Sequence, residues 1–211
     1  MVFKRRTPKS YYQIVADSVY PRGGWRRASK YVMLRLRRLP DPAHKISRGI
    51  AAGVFTSFTP FFGFHFMIAA AIAWALRGNI LASLLATFFG NPLTFPIIAA
   101  VSMEIGSFLL GTPPVPLNRV GQAFSQAFQQ LWNNFTAVFT GGVTHWDRLG
   151  QFFEVIFLPY LVGGIIPGVV AGLAAYYLSY PIIVTYQKAR DRRKLARLEK
   201  RRRKRAEEGL E

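Results

Sequence analysis

His65 has the clearest chemical capacity in this chain, because an imidazole changes charge near neutral pH. It closes the stretch SFTPFFGFH, where Ser57, Thr59, Pro60 and Gly63 precede it in otherwise apolar surroundings. A second polar interruption, GNPLTFP, supplies Asn91, Pro92, Thr94 and Pro96. Two chemistries suit these residue types. A His65–Glu104 pair would form a proton-coupling unit, Glu104 being the only acid between residues 49 and 110; the structural alternative, the one favoured, is that His65 donates a hydrogen bond to a broken-helix carbonyl while Glu104 lies near the outer interface. The short hydroxyl and amide side chains, together with exposed helix ends, would line a small site for a polar headgroup or an ion. The same groups have a structural use, since Ser, Thr and Asn can bond backbone groups freed by Pro60, Pro92 and Pro96. Arg77 and Asn79, in the tripeptide RGN, mark a turn at an interface or contact a headgroup.

Other chemistries are missing their residues. The chain has no cysteine, which excludes disulfides, iron–sulfur clusters and thiolate metal sites. It has no Gly-x-Ser-x-Gly, no Gly-rich loop ending in Lys-Ser/Thr and no His-Glu-x-x-His. His44, His65 and His145 fall in different compartments on the topology derived below, so no metal site, cofactor or catalytic group is expected.

The elements that position these residues follow from the distribution of charge. Of 211 residues, 51% are hydrophobic, and the formal net charge is +18. Residues 1–48 hold 13 Lys/Arg against Asp17 and Asp41, and residues 188–211 hold 12 against five acids. Residues 49–187 hold only Arg77, Arg119, Arg148, Glu104, Asp147 and Glu154. A helix needs about 20 apolar residues to cross ~30 Å of hydrocarbon. Three blocks qualify, 49–76, 80–110 and 152–187, each containing proline. In the first two, an apolar run meets a Pro-containing break and a longer apolar run follows. Broken backbone at membrane depth is tolerated only inside protein or along a wet cavity. These blocks are therefore expected to be interrupted or re-entrant helices that pack on each other, a pointer to a midplane site. Pro60 and Pro92 occupy matching points in their blocks, which hints at a duplication.

Two amphipathic helices flank this core. In WRRASKYVMLRLRRL, Trp25, Ala28, Val32, Leu36 and Leu39 share a stripe, away from Arg26, Arg27, Lys30, Arg37 and Arg38, as suits an anionic membrane surface. The PDP at 40–42 stops it. In the connector 111–150, Val120, Phe124, Phe128, Leu131, Phe135 and Val138 recur at helical spacing opposite neutral polar residues. Translocated loops are poor in Lys/Arg, so both termini are expected in the cytoplasm and 111–150 outside. The simplest topology makes 49–76 a hairpin returning near Arg77, with 80–110 crossing outward and 152–187 crossing back. Its mirror places Arg77 outside. Gly164, Gly168 and Gly172, like Gly49 and Gly53, are spaced for close helix packing. The first forty residues hold no continuous apolar h-region, so the first membrane segment is expected to serve as the insertion signal.

Taken together, SFTPFFGFH, RGN and TFFGNPLTFP resemble the bacterial membrane family listed as domain of unknown function 2062. The resemblance rests on Pro60, Gly63, His65, Arg77, Asn79, Asn91, Pro92, Thr94 and Pro96, and covers about 40–185. It implies an integral inner-membrane protein and carries no activity with it.

The expected fold is thus an all-α integral membrane protein of interrupted or re-entrant helices plus full spans, with interfacial amphipathic helices. Residues 1–48 form a basic cytoplasmic arm, 49–187 the membrane domain and 188–211 a basic cytoplasmic tail. The tail is a charged helix or a disordered segment, and it suits anionic lipid better than nucleic acid, since it lacks interleaved aromatics. Three function classes fit: handling of a lipid or small polar solute at the two breaks, a noncatalytic scaffold acting through the basic tails, and an enzyme using His65 on a lipid-linked substrate. Substrate binding would fall to Ser57, Thr59, Pro60, Gly63, His65, Arg77, Asn79, Asn91, Pro92, Thr94, Pro96 and Glu104. Expected partners are anionic lipids and further copies of the chain.

Overall fold

The computed structural model describes Arg27, Tyr31, Val32, residues 34–36, 39–113 and 115–207. The chain divides into two units, Met1–Pro40 and Asp41–Glu211. In the first, the described residues 27, 31–32 and 34–36 are helical, whereas Trp25, Ala28 and the basic residues Arg26, Lys30, Arg37 and Arg38 lie outside the described set.

Among the described residues the regular elements of the second unit are all helices, with no strand. Pro42 sits at the N-cap of α1 (Ala43–Thr56), where its fixed φ and missing N–H do no harm, and its carbonyl accepts from the Lys45 and Ile46 amides. This helix starts six residues before the charge boundary at 49, so Lys45 and Arg48 belong to it. There follow α2 (His65–Ala75), α3 (Ile80–Ala86) with a 3₁₀ turn (Thr87–Phe89), and α4 (Phe95–Leu110). Beyond them come α5 (Leu117–Thr140), α6 (Asp147–Phe152), a π turn (Phe153–Phe157) and α7 (Leu158–Glu207).

The arrangement is held by glycines that let backbones touch. α1 lies between α3 and α7. A side chain at Gly49 would run into the Asn79 carbonyl and one at Gly53 into the Ser83 carbonyl, so α1 and α3 are parallel. On the other face, Gly164 meets Phe58, Gly168 meets Phe55 and Phe58, and Gly172 meets Ala51, which makes α7 antiparallel to α1. Gly106 on α4 abuts the Pro159 carbonyl, and Gly163 abuts the Ser102 carbonyl. The glycine spacing is therefore a packing device, as the sequence suggests.

α2 packs back on α1, and the chain returns to where α1 began. The Asn79 amide donates to the Lys45 carbonyl at 2.8 Å, and Arg48 Nη1 donates to the Leu76 carbonyl at 3.0 Å. α7 crosses the whole assembly. It meets Gly106 at Pro159 and, through Gln187 Nε2, the Asp41 carbonyl at 2.9 Å. Those two points are separated by a rise of about 42 Å along the helix. Pro167 and Pro181 lie inside it without ending it, and the helix runs on through the basic tail to Glu207.

One helical run among the described residues, Asp147–Lys204, is long and apolar enough to cross a membrane. His65–Ala75, Ile80–Phe89 and Phe95–Leu110 are apolar but shorter. α5 departs from the expected stripe. Val120, Ala127, Asn134 and Ala137 are buried and Phe124 is packed, but Phe128, Leu131, Phe135 and Val138 are exposed. The buried side drifts along the helix: at 100° per residue Val138 points the same way as buried Val120 and Leu131 lies only 20° from it, so the expected stripe is covered over its first turns and bare further on, where Asn134 and Ala137 are buried instead. Trp132 and Phe139 join the exposed line.

Candidate functional site

The two breaks meet. Ser57, Phe62, Gly63, His65 and Phe66 from the first and Thr87, Phe88, Gly90, Asn91, Pro92 and Phe95 from the second line one cavity of about 550 Å³. Ser57 Oγ donates to the Thr87 carbonyl at 3.3 Å, and Gly90 lies against the Ser57 side chain, where a Cβ would sit at 3.0 Å. Aromatic rings tie the breaks further, with Phe58 stacked on Phe89 at 6.1 Å and Phe62 edge-on to Phe95 at 5.1 Å.

The first break is made by local backbone turns. Thr56 Oγ1 donates back to the Ala52 carbonyl and Thr59 Oγ1 to the Thr56 carbonyl, at 2.8 and 2.7 Å. Pro60 is fully buried, and its carbonyl accepts from the Phe62 amide. Gly63 has φ +86°, a region that side chains disfavour, and this lets the chain swing into α2. His65, the first residue of α2, places Nε2 3.2 Å from the Thr59 carbonyl. A carbonyl oxygen only accepts, so a neutral ring carries its proton on Nε2 and keeps Nδ1 as an acceptor.

The second break is a helix restart. Asn91 Oδ1 accepts from the Leu93 and Thr94 amides at 2.9 and 3.2 Å, while Thr94 Oγ1 accepts from the Asn91 amide at 3.1 Å and donates to the Phe89 carbonyl. This reciprocal pairing satisfies amides that α4 cannot, and Pro96 lies in the first turn, where no N–H partner is needed. Asn-Pro-x-Thr-x-Pro is thus legible as a local device for stopping and restarting a helix.

The remaining nominated residues lie elsewhere. Arg77 and Asn79 occupy the opposite end of the α2–α3 hairpin and do not line the cavity. Asn79 Oδ1 caps α3 by accepting from the Ala82 amide at 2.6 Å, and its Nδ2 donates to Asp41, which also pairs with Lys45 at 3.0 Å. Those two partners, Asn79 first, hold the Asp41 carboxyl below its ordinary pKa. Arg77 has φ +51°, the left-handed corner of this turn. Glu104 is exposed on α4 and no ion pair joins it to His65, whose Nε2 turns to the Thr59 carbonyl, so the proton-coupling pair is not formed and the hydrogen bond to a broken-helix carbonyl is. Among the described residues no three His, Asp or Glu side chains gather.

Sequence reasoning passed over the aromatic wall of the cavity, Phe62, Phe66, Phe88 and Phe95. The signal was present in the density of phenylalanine in TPFFGFHF and ATFFGN. With the Ser57 and Thr87 hydroxyls committed to carbonyls, the cavity's free polar capacity is narrow: the His65 ring and the Asn91 amide, whose contacts to the Phe88 and Phe89 carbonyls are long, 3.4 Å. An aromatic cavity with two polar points suits an amphiphile better than a bare ion.

No curated protein and no solved structure matches the chain. The sequence pattern of the family described as "Uncharacterized protein conserved in bacteria (DUF2062)" matches residues 26–192, most of the chain. The residues that carry both breaks, the hairpin between them and the part of α7 that braces them, Pro159 to Gln187, lie inside that span, and the protein belongs to this family.

Proposed function

We propose that this protein is a multi-pass protein of the bacterial inner membrane that handles a lipid or a small amphiphilic solute at the cavity between its two breaks. One observation carries the reading: two polar, Pro-containing interruptions about thirty residues apart in sequence line a single cavity. Exposed apolar surface supports the membrane setting. α2 is apolar all round yet buries only Ala69 and Ala73, leaving Trp74 75% exposed, and Phe108 on α4 is 85% exposed. A helix apolar on every side belongs in a protein interior or in lipid, and this one is not in the interior. The rise of about 42 Å between Pro159 and Gln187 equals the thickness of a bilayer with its headgroup layers. In this setting α1, α2 and their break form a re-entrant hairpin, α3 and α4 a broken outward span, and α7 the return span with both termini cytoplasmic. The exposed stripe of α5 lies along the outer interface.

The test uses the cysteine-free background. Single cysteines at Ser57, His65, Thr87, Asn91 and Thr94 are probed in intact cells with a small membrane-impermeant thiol reagent, with Thr144→Cys, exposed in the connector placed outside, as the accessible reference. Labelling at both breaks from one side is the expected result. No labelling at either, with insertion intact, would make the breaks sealed packing devices and end this reading.

A second reading is favoured by α7. Residues Asp191–Lys200 are exposed along their whole length, on a helix that carries the basic run some 30 Å past Gln187. That run would recruit anionic lipid, partner proteins or further copies of the chain, as a scaffold does. Deleting residues 188–211 abolishes function on this reading and leaves it largely intact on the first.

A further inference from the structure

A second cavity, of about 670 Å³, opens where α5 and α6 cover the end of α4 and α7. Its rim carries Arg119 and Arg148, with the amides of Gln122, Gln126 and Gln151, and its floor includes Phe152 and Ile156. Between residues 49 and 187 the chain has only three basic residues, and the fold brings two of them, 29 positions apart, to one groove. The three acids of the same region, Glu104, Asp147 and Glu154, do not line it. Among the described residues neither guanidinium has a side-chain hydrogen bond or ion pair. The floor is continuous with the core cluster of Ala99, Met103, Val120 and Tyr160.

We infer that this groove binds a phosphate-bearing ligand, with Arg119 and Arg148 on the phosphate oxygens and the Phe152–Ile156 floor beneath its apolar stem. Guanidinium matches phosphate with paired, charge-assisted N–H···O bonds, and glutamine amides add neutral donors. Two cations lining one groove that no carboxylate lines leave a positive charge to be met, and the apolar Phe152 and Ile156 in the same lining suit a headgroup that carries a lipid chain. The shared chemistry is the phosphate, from a phospholipid headgroup or from free phosphate. The groove is separate from the cavity between the breaks and stands whether or not that cavity proves accessible to water.

The experiment uses the full chain in non-ionic detergent, with Ser125→Cys carrying an environment-sensitive fluorophore. Ser125 is exposed on α5 beside the groove and does not line it. Ligand on the basic tail, which attracts anions of any kind, is controlled by repeating each titration on a variant lacking residues 188–211, and ligand on the basic arm 1–48 by the Arg119→Gln/Arg148→Gln pair, which leaves that arm intact. The probes are dihexanoyl phosphatidic acid, dihexanoyl phosphatidylcholine and inorganic phosphate. The expected result is a saturable response to phosphatidic acid that survives tail deletion. In Arg119→Gln/Arg148→Gln it weakens about tenfold or more, as loss of charge-assisted bonds requires. Arg119→Lys/Arg148→Lys, which keeps the charge, retains part of the affinity. An equal response to inorganic phosphate supports the site and identifies free phosphate as its ligand. An unchanged response in the Gln pair, an equal response to phosphatidylcholine, or no saturable response to any probe overturns the inference. Unliganded thermal stability of the Gln pair should match the parent, because neither guanidinium has a partner to lose.

Discussion

The two breaks use similar ingredients and send the chain in opposite directions. After Ser57–Phe64 the chain turns back, and α2 packs on α1. After Gly90–Thr94 it goes onward, and α4 leaves α3 to pack on α7. The difference lies in a few atoms. The first break places Gly63 at φ +86° and spends its hydroxyls on the end of α1, so it ends one helix without prescribing the direction of the next. The second couples Asn91 to Thr94 in both directions, which fixes the first turn of α4. A matching proline in each block therefore marks where a helix stops, and the residues after it decide where the chain goes. The hinted duplication does not extend to the path of the chain.

The largest expected effect comes from separating the partners that each half relies on. Gly53→Val drives a side chain into the Ser83 carbonyl of α3, and Gly163→Val drives one into the Ser102 carbonyl of α4. Each should cost about 3 kcal/mol or more, since backbone rather than a flexible side chain must move. Chemical unfolding in detergent measures this, and a loss under about 1 kcal/mol would show that the halves are held some other way.

The next effect separates the breaks themselves. Asn91→Ala leaves the Leu93 and Thr94 amides without their acceptor and should cost about 1–2 kcal/mol. Gly63→Ala meets open space, so its cost of about 1 kcal/mol is purely conformational. Asparagine tolerates the left-handed region better, so Gly63→Asn should recover part of it. Thermal melts of the three variants test this, and equal losses in Gly63→Ala and Gly63→Asn would remove the backbone explanation.

Away from the breaks, Asp41 secures the far end of the hairpin. Its folded pKa lies below its unfolded value, so its contribution is fully present above the unfolded pKa near 3.8 and is lost as pH falls through the lower folded value. Acid unfolding of the parent should show this loss below about pH 4, and Asp41→Asn should flatten that limb. A parallel acid limb in both would mean that other carboxyls dominate. The smallest effect is expected at Tyr160, which is fully buried with a hydroxyl that has no partner. Tyr160→Phe should leave stability unchanged or raise it by up to about 1 kcal/mol in the same melts. A clear loss would mean that the hydroxyl is satisfied in solution.

Much of the architecture was local and therefore legible. The scarcity of charge between 49 and 103, where Arg77 stands alone, the prolines at 60, 92 and 96 and the glycines at four-residue spacing each act on their own neighbours. From them follow the helical class, the positions of both breaks and the close packing of α1 and α7. The cap role of Asn91, Thr94 and Asn79 is equally short-range, since an amide or hydroxyl reaches only three or four residues along a turn.

Which of these features share a site was decided at longer range. Phe62 and Phe95, Ser57 and Thr87, and Arg119 and Arg148 are brought together by helix crossings that no single segment encodes. The same crossings carried Arg77 and Asn79 to the end away from the cavity and left Glu104 exposed without His65 as a partner. They also chose which stripe of α5 to bury, taking the line through Val120 and Ala127 over the more apolar line through Phe128 and Phe135. Sequence specified the surfaces that each helix could offer. Backbone contact at Gly49, Gly53, Gly106, Gly163 and Gly164 determined which of those surfaces met, because a side chain at any of these positions would hold the two backbones apart.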